Sequence, residues 1–133
     1  LSTEIAPIGS GFLAADATGL YSDLPGRAYG LAKISPTDGA VRTLHTSPDL
    51  QIGSRTATVA IDADNLYLLT YEDKVGDRIQ AAPKAGGAPT VIGSGSQFQM
   101  GTDQFLQDDD NLFILHEGHE VLLLPKKPGA ALP

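Results

Sequence analysis

The sequence predicts an all-β chain built from propeller-type blades, and three observations carry that expectation. Asp16, Asp62 and Asp108 stand 46 residues apart, and each is followed four residues later by a leucine (Leu20, Leu66, Leu112) and then an aromatic residue (Tyr21, Tyr67, Phe113). A fixed period of about 40–50 residues is that of a blade of short strands. Between these markers lie short apolar runs punctuated by Gly, Pro, Asp and Asn, the pattern of many strands joined by turns. No window keeps apolar residues at helical spacing over three turns, so no helix is expected.

In chain order, the first strand of each unit is a short apolar run: Phe12 to Ala15, Val59 to Ile61, and Phe105-Leu106. Such runs suit a strand buried on both faces, here the innermost. The next four residues, Asp-Ala-Thr-Gly, Asp-Ala-Asp-Asn and Asp-Asp-Asp-Asn, are turn chemistry. The Asp side chain bonds the backbone two residues on, and Gly or Asn tolerates a left-handed conformation. A second strand follows at Leu20-Tyr21, Leu66 to Tyr71 and Leu112 to Leu115. Polar tips at 25–27, 72–77 and 117–118 lead to a third strand at Leu31 to Ile34, Ile79 to Ala82 and Val121 to Leu124. Each third strand is expected to end at a proline (Pro36, Pro83, Pro125), which cannot donate to a ladder. Turns around Gly39, Gly86-Gly87 and Gly129 precede an outer strand at Val41 to His45 and Thr90 to Ile92.

The resulting division is 1–11, an outer strand that completes a blade; 12–57, the first blade; 58–103, the second; and 104–133, a third that lacks its outer strand. The first segment carries Ile8-Gly9-Ser10-Gly11, identical to Ile92-Gly93-Ser94-Gly95 at the end of the second blade. Propellers hold about 4–8 blades, so three blades are expected to be half of a six-bladed ring. A second copy would complete it as a homodimer with exchanged terminal strands, or the other half belongs to a longer chain. The first residue is Leu, consistent with a processed or partial chain.

Composition narrows the function. The 133 residues carry a net charge of −7, which disfavours nucleic acid, since phosphate binding needs a basic face. Cysteine is absent, which removes disulfide and thiol chemistry. No apolar run reaches the roughly 18 residues of a helical membrane span.

Val59-Ala60-Ile61-Asp62 with Leu66-Tyr67, then Pro83-Lys84-Ala85-Gly86-Gly87-Ala88-Pro89-Thr90-Val91-Ile92, resembles the repeats of bacterial, myxobacterial-type secreted and envelope β-propellers of the NHL-like and YWTD-like group. The resemblance spans nearly the whole chain. It implies blade architecture and a secreted or envelope location; our own reading of the chain is a binding or scaffolding module for protein or small-molecule ligands. The alternative it implies is part of a metal-dependent propeller enzyme, lactonase- or lyase-like, with its site in the central channel or the other half. The inner strands are mostly apolar, with only Asp103 and Gln104 preceding one, which favours the binding module.

Two candidate sites follow from the residues. In His116-Glu117-Gly118-His119, a two-residue turn would set His116 and His119 directly opposite each other on one sheet face. Opposed positions lie about 4.5–5.5 Å apart, within reach of one divalent metal such as zinc. The plainer reading is a solvated hairpin tip. No nucleophile elbow or phosphate loop is present, so no other cofactor is expected. The second site is a loop rim. From Ile8, Leu44 and Ile92 to the next marker Asp the distances are 8, 18 and 16 residues, and extended insertions in repeat proteins gather on one face. That face would collect Arg27, Asp49, Gln51, Arg55, Asp73, Lys74, Asp77, Arg78, Gln97, Gln99 and Asp103 beside the histidines.

Overall fold

The computed structural model describes residues 13–23, 30–46, 57–72, 76–95, 104–116 and 120–128. These form eleven strands in three antiparallel sheets, and no helix occurs among them. The first sheet is a meander of β1 (Leu13–Asp16), β2 (Gly19–Asp23), β3 (Gly30–Ile34) and β4 (Val41–Thr46). The second repeats that order with β5 (Ala57–Ile61), β6 (Asn65–Glu72), β7 (Gly76–Pro83) and β8 (Thr90–Gly95). The third holds β9 (Gln104–Gln107), β10 (Asn111–His116) and β11 (Glu120–Pro125). Every strand expected within the described residues is present within a few residues of its expected bounds, because alternating apolar runs and Asp, Gly and Pro turns fix short strands locally. The first-segment strand at 1–11 and the turn at Gly129 lie outside the described residues.

The sheets pack face to face. Side chains alternate across each strand, so β6 divides its apolar residues between two neighbours. Leu66 and Leu68, with Ala82 beside them on β7, are buried against Tyr21, Leu31 and Leu44 of the first sheet. Tyr67 and Leu69, with Ile79 and Ile92, are buried against Leu112, Ile114, Leu122 and Leu124 of the third. An unbroken run, Leu66-Tyr67-Leu68-Leu69, is therefore what the middle sheet requires, since water reaches neither face. Among the first strands, β5 lies beside both β1 and β9.

The outer strands of the first two sheets each carry a bulge, at Leu44 and at Ile92. The ladder pairs Leu31 with His45 and Ala32 with Thr43, and likewise Ile79 with Gly93 and Gln80 with Val91. The bulged residue stands outside the regular pairing. At Leu44 its carbonyl accepts the Gly87 N–H of the second sheet at 3.0 Å, while Arg42 Nη2 donates to the Ala85 carbonyl at 2.9 Å. The receiving turn needs Gly86 and Gly87, whose φ angles of 99° and 120° suit glycine.

One alignment differs from expectation. The pairs Leu20–Ile34, Leu66–Ala82 and Leu112–Leu124 are equivalent, so Ser35, not Pro36, corresponds to Pro83 and Pro125. Pro36 then stands where the other sheets have Lys84 and Lys126. A proline sitting one residue later in the first unit is enough to mislead a reading that aligns prolines.

At Gly93 an added Cβ would fall 2.9 Å from both δ-carbons of Leu124. Gly93→Val should therefore force the second and third sheets apart and destabilise the fold by about 1–3 kcal/mol, the usual cost of overpacking. Urea denaturation measures it, and an unchanged midpoint would contradict the packing described.

Candidate functional site

The chemistry of the described residues concentrates where the first and second strands of each sheet meet. The three marker aspartates cap these turns in the same way. Asp16 Oδ1 accepts the Thr18 and Gly19 N–H at 2.7 and 3.2 Å. Asp62 Oδ1 accepts those of Asp64 and Asn65 at 3.0 and 2.8 Å, and Asp108 Oδ1 those of Asp110 and Asn111 at 2.9 and 2.7 Å. This is the Asx turn expected from the sequence.

The second carboxylate oxygen faces the next sheet. Asp16 Oδ2 forms an ion pair with Lys84, which follows β7. Asp62 Oδ2 takes Lys126, which follows β11, at 3.2 Å. Each lysine also donates to the backbone of the marker Asp in its own sheet: Lys84 Nζ to the Asp62 carbonyl and Lys126 Nζ to the Asp108 carbonyl, both at 2.7 Å. Each ammonium lies over the aromatic residue of the preceding sheet, 5.8 Å from the Tyr21 ring centre for Lys84 and 5.0 Å from Tyr67 for Lys126. The lysine position is set by backbone bonds, Lys84 N–H to the Asp64 carbonyl and Lys126 N–H to the Asp110 carbonyl, both 2.8 Å. One ammonium thus joins a carboxylate, a carbonyl and a ring, across a seam where its side chain is largely buried: 9% exposed for Lys84 and 6% for Lys126.

Titration follows from these contacts. Burial works to raise Asp16 and Asp62, but hydrogen bonds overcome it: those from Lys84 and Thr18 hold Asp16 well below the usual carboxylate range, and those from Tyr67, Asn65, Asp64 and Lys126 lower Asp62. At Asp108 the N–H groups of Asp110 and Asn111 lower it. Tyr67 is pushed up, by burial first and then by its 2.7 Å bond to Asp62 Oδ2, so it remains the donor.

Between the second and third sheets these turns border an open cleft of about 330 Å³, lined by Asp62, Ala63, Asp64, Gln107, Asp108, Asp109 and Lys126. Gln107 bridges its wall, donating to the Ile61 carbonyl at 2.6 Å. No group of three metal-ligating side chains occurs among the described residues. Of the polar side chains described on the first strands, Asp16 is engaged with Lys84 and Gln107 with the Ile61 carbonyl in the seams, while Gln104 is exposed at the start of β9.

Of the expected histidine pair, only His116 has a described place in the ladder. Register carried up from Asn111–Pro125 sets His116 opposite Glu120, with three residues between them rather than two. His119 lies outside the described residues. Of the loop rim, Asp77 and Arg78 are on β7, opposite Tyr71 and Thr70 of β6. Arg27, Asp49, Gln51, Arg55, Asp73, Lys74, Gln97, Gln99 and Asp103 lie outside the described residues. What the sequence reading missed is the pair of lysines. The signal was present as Pro-Lys at 83–84 and 125–126, but a surface lysine is the commoner meaning of such a dipeptide, and the carboxylate it meets is 68 or 64 residues away.

Comparison with protein-family models, with curated proteins and with solved structures finds no significant match.

Two outcomes test the seam. Lys84→Met keeps the stem packing but strands the Asp16 carboxylate, and should cost about 1–3 kcal/mol in urea denaturation, less than a fully buried pair because Asp16 is partly solvated. A change below a few tenths would mean the bridge is solvent-screened. The acid limb is the second. A carboxylate lowered on folding stabilises the fold above its unfolded value, near 3.9, and that contribution is lost as pH falls through the lower folded value. Melting temperature should therefore drop below about pH 4, and Asp62→Asn should both lower it at pH 7 and flatten the acid limb. An acid limb identical to that of the unsubstituted protein would contradict the role given to Asp62.

Proposed function

We propose that this chain is a binding and scaffolding module whose three sheets are consecutive blades of a propeller-like stack, and that it acts by adding a partner to that stack at its third sheet. The observation that supports this is the sameness of the two seams. In each, a Leu-rich face packs on the tyrosine-bearing face of the preceding sheet, and a lysine reaches back to that sheet's marker aspartate. Stacked units of this kind bury their cores only against neighbours. The third sheet presents an uncovered outgoing face, with Leu106, Val121 and Leu123 at 73, 66 and 52% exposure. A ring shared with further blades is one closed form of such an assembly; a six-bladed ring of two copies is another, and it would have to uncover Ala32 and Ile34, which are buried on the first sheet. The adjacency of β1, β5 and β9 is consistent with inner strands gathered about an axis.

Sedimentation of the purified chain tests the reading. With its outgoing face bare, the chain should show a mass above the monomer that rises with concentration. Leu123→Asp should return it to monomer with little loss of melting temperature, because that side chain is already half in water. A strict monomer at every concentration, or assembly indifferent to Leu123→Asp, would overturn it.

A further inference from the structure

The outgoing face of the third sheet is built as the middle sheet's is. On β10 and β11 the ladder pairs Phe113 with Leu123 and Leu115 with Val121, and Leu106 of β9 lies opposite Phe113 from the other side. These five side chains share one face. Leu112, Ile114, Leu122 and Leu124, on the other face, are already buried against the second sheet. The runs Leu112-Phe113-Ile114-Leu115 and Val121-Leu122-Leu123-Leu124 are thus apolar on both faces, like Leu66 to Leu69 of β6, although one face is uncovered. An uninterrupted apolar strand suits burial on both sides. Exposed apolar surface of this extent marks an interaction site.

The carboxylate at its edge says which occupant fits. Asp16 and Asp62 each use Oδ1 for their own turn and Oδ2 for a lysine of the following sheet. Asp108 uses Oδ1 for its turn in the same way. Among the described residues no lysine bridges its Oδ2, since Lys126 is committed to Asp62 Oδ2 and the Asp108 carbonyl. The first sheet of a second copy would not supply one. Pro36 stands at its lysine position, Lys33 donates to Thr18 within the same sheet at 3.0 Å, and Ala32 and Ile34 on its incoming face are already buried.

We infer that the outgoing face of the third sheet is a docking surface for a further sheet of this same kind, one that carries a leucine-rich incoming face and a lysine one residue past its third strand, set to bridge Asp108. This inference rests on the stacked-blade reading above and names the partner's chemistry. The ring aromatic beneath that lysine would be Phe113, which offers a cation–π face without the hydroxyl of Tyr21 and Tyr67.

The test supplies such a sheet in continuity with the chain: residues 88–133 are repeated after Gly129, so that the copy brings its own equivalents of β8 to β11 and of Lys126. The copied strands should be protected from hydrogen exchange. Asp108→Asn in the original segment, which keeps an Oδ1 acceptor for the turn, should lower the melting temperature of the extended chain by about 2–4 °C. The same substitution should leave the 133-residue chain within about a degree. Lys126→Met made in the copied segment alone should reproduce the loss. An equal Asp108→Asn shift in both chains would overturn the lysine bridge while leaving the stacking reading intact. Unprotected copied strands would overturn the docking surface itself, and the stacking reading would then stand or fall on sedimentation of the original chain.

Discussion

Asp16 and Asp62 each hold two structures together at once. One oxygen closes the turn between the first two strands of its own sheet, and the other receives a lysine from the next. Neither task is unusual alone. Their combination means that the geometry of the turn sets where the carboxylate points, and so where the next sheet can sit. A Glu at the same place would lose the short Asx geometry, and an Asn would keep the turn but lose the charge. At Asp16 and Asp62 the residue type is therefore fixed by both demands, while at Asp108 the turn alone uses it.

The lysine is the costly partner. An ammonium taken largely out of water is repaid only if its donors are met. Here it finds a carboxylate, a backbone carbonyl and an aromatic face, from two sheets. Because the carbonyl belongs to the lysine's own sheet and the carboxylate and ring to the preceding one, the lysine is held from one side and completes its shell only when the two sheets are packed. The apolar seam supplies most of the attraction, at about 25 cal/mol per Å² of buried surface. It is tolerant of sliding, as leucine surfaces are. The lysine and the Gly87 to Leu44 hydrogen bond, both from the turn that follows β7, fix the register that the apolar contacts leave loose.

Local rules are why the strands were legible in the sequence. Asp62-Ala63-Asp64-Asn65 and Gly86-Gly87 dictate turns through contacts within a few residues, and the apolar runs between them can only be strands. Leu20, Leu66 and Leu112 were read as core because the spacing repeats; Leu66 and Leu112 are fully buried, while Leu20 is half-buried. What escaped was everything set by contact between distant segments. The bulges at Leu44 and Ile92 leave no mark on composition. The His116–Glu120 pairing depends on a register propagated from Asn111, and a hairpin reading that starts from the tip chooses the shorter turn. The lysine bridges required knowing that position 84 returns to position 16. Pro36 hid this further, since it resembles Pro83 in type while standing where Lys84 stands in space.

The direction of the bridge gives the stack a polarity that leucine packing alone would not. Both bridging lysines point back from a later sheet to an earlier aspartate, so such a sheet has an incoming side that brings the cation and an outgoing side that brings the anion. Sheets met in the reverse order would oppose lysine to lysine or aspartate to aspartate, at a cost in a poorly solvated seam. Order along the chain is then reinforced by electrostatics as well as by linker length. The first sheet departs from this rule at both of the places that matter: Pro36 replaces the incoming cation, and Lys33 turns inward over Tyr21 at 5.5 Å and onto Thr18. Its cation thus serves its own sheet, and the two ends of the described stack differ in kind: one has lost the means to reach backward, while the other keeps the aspartate that receives.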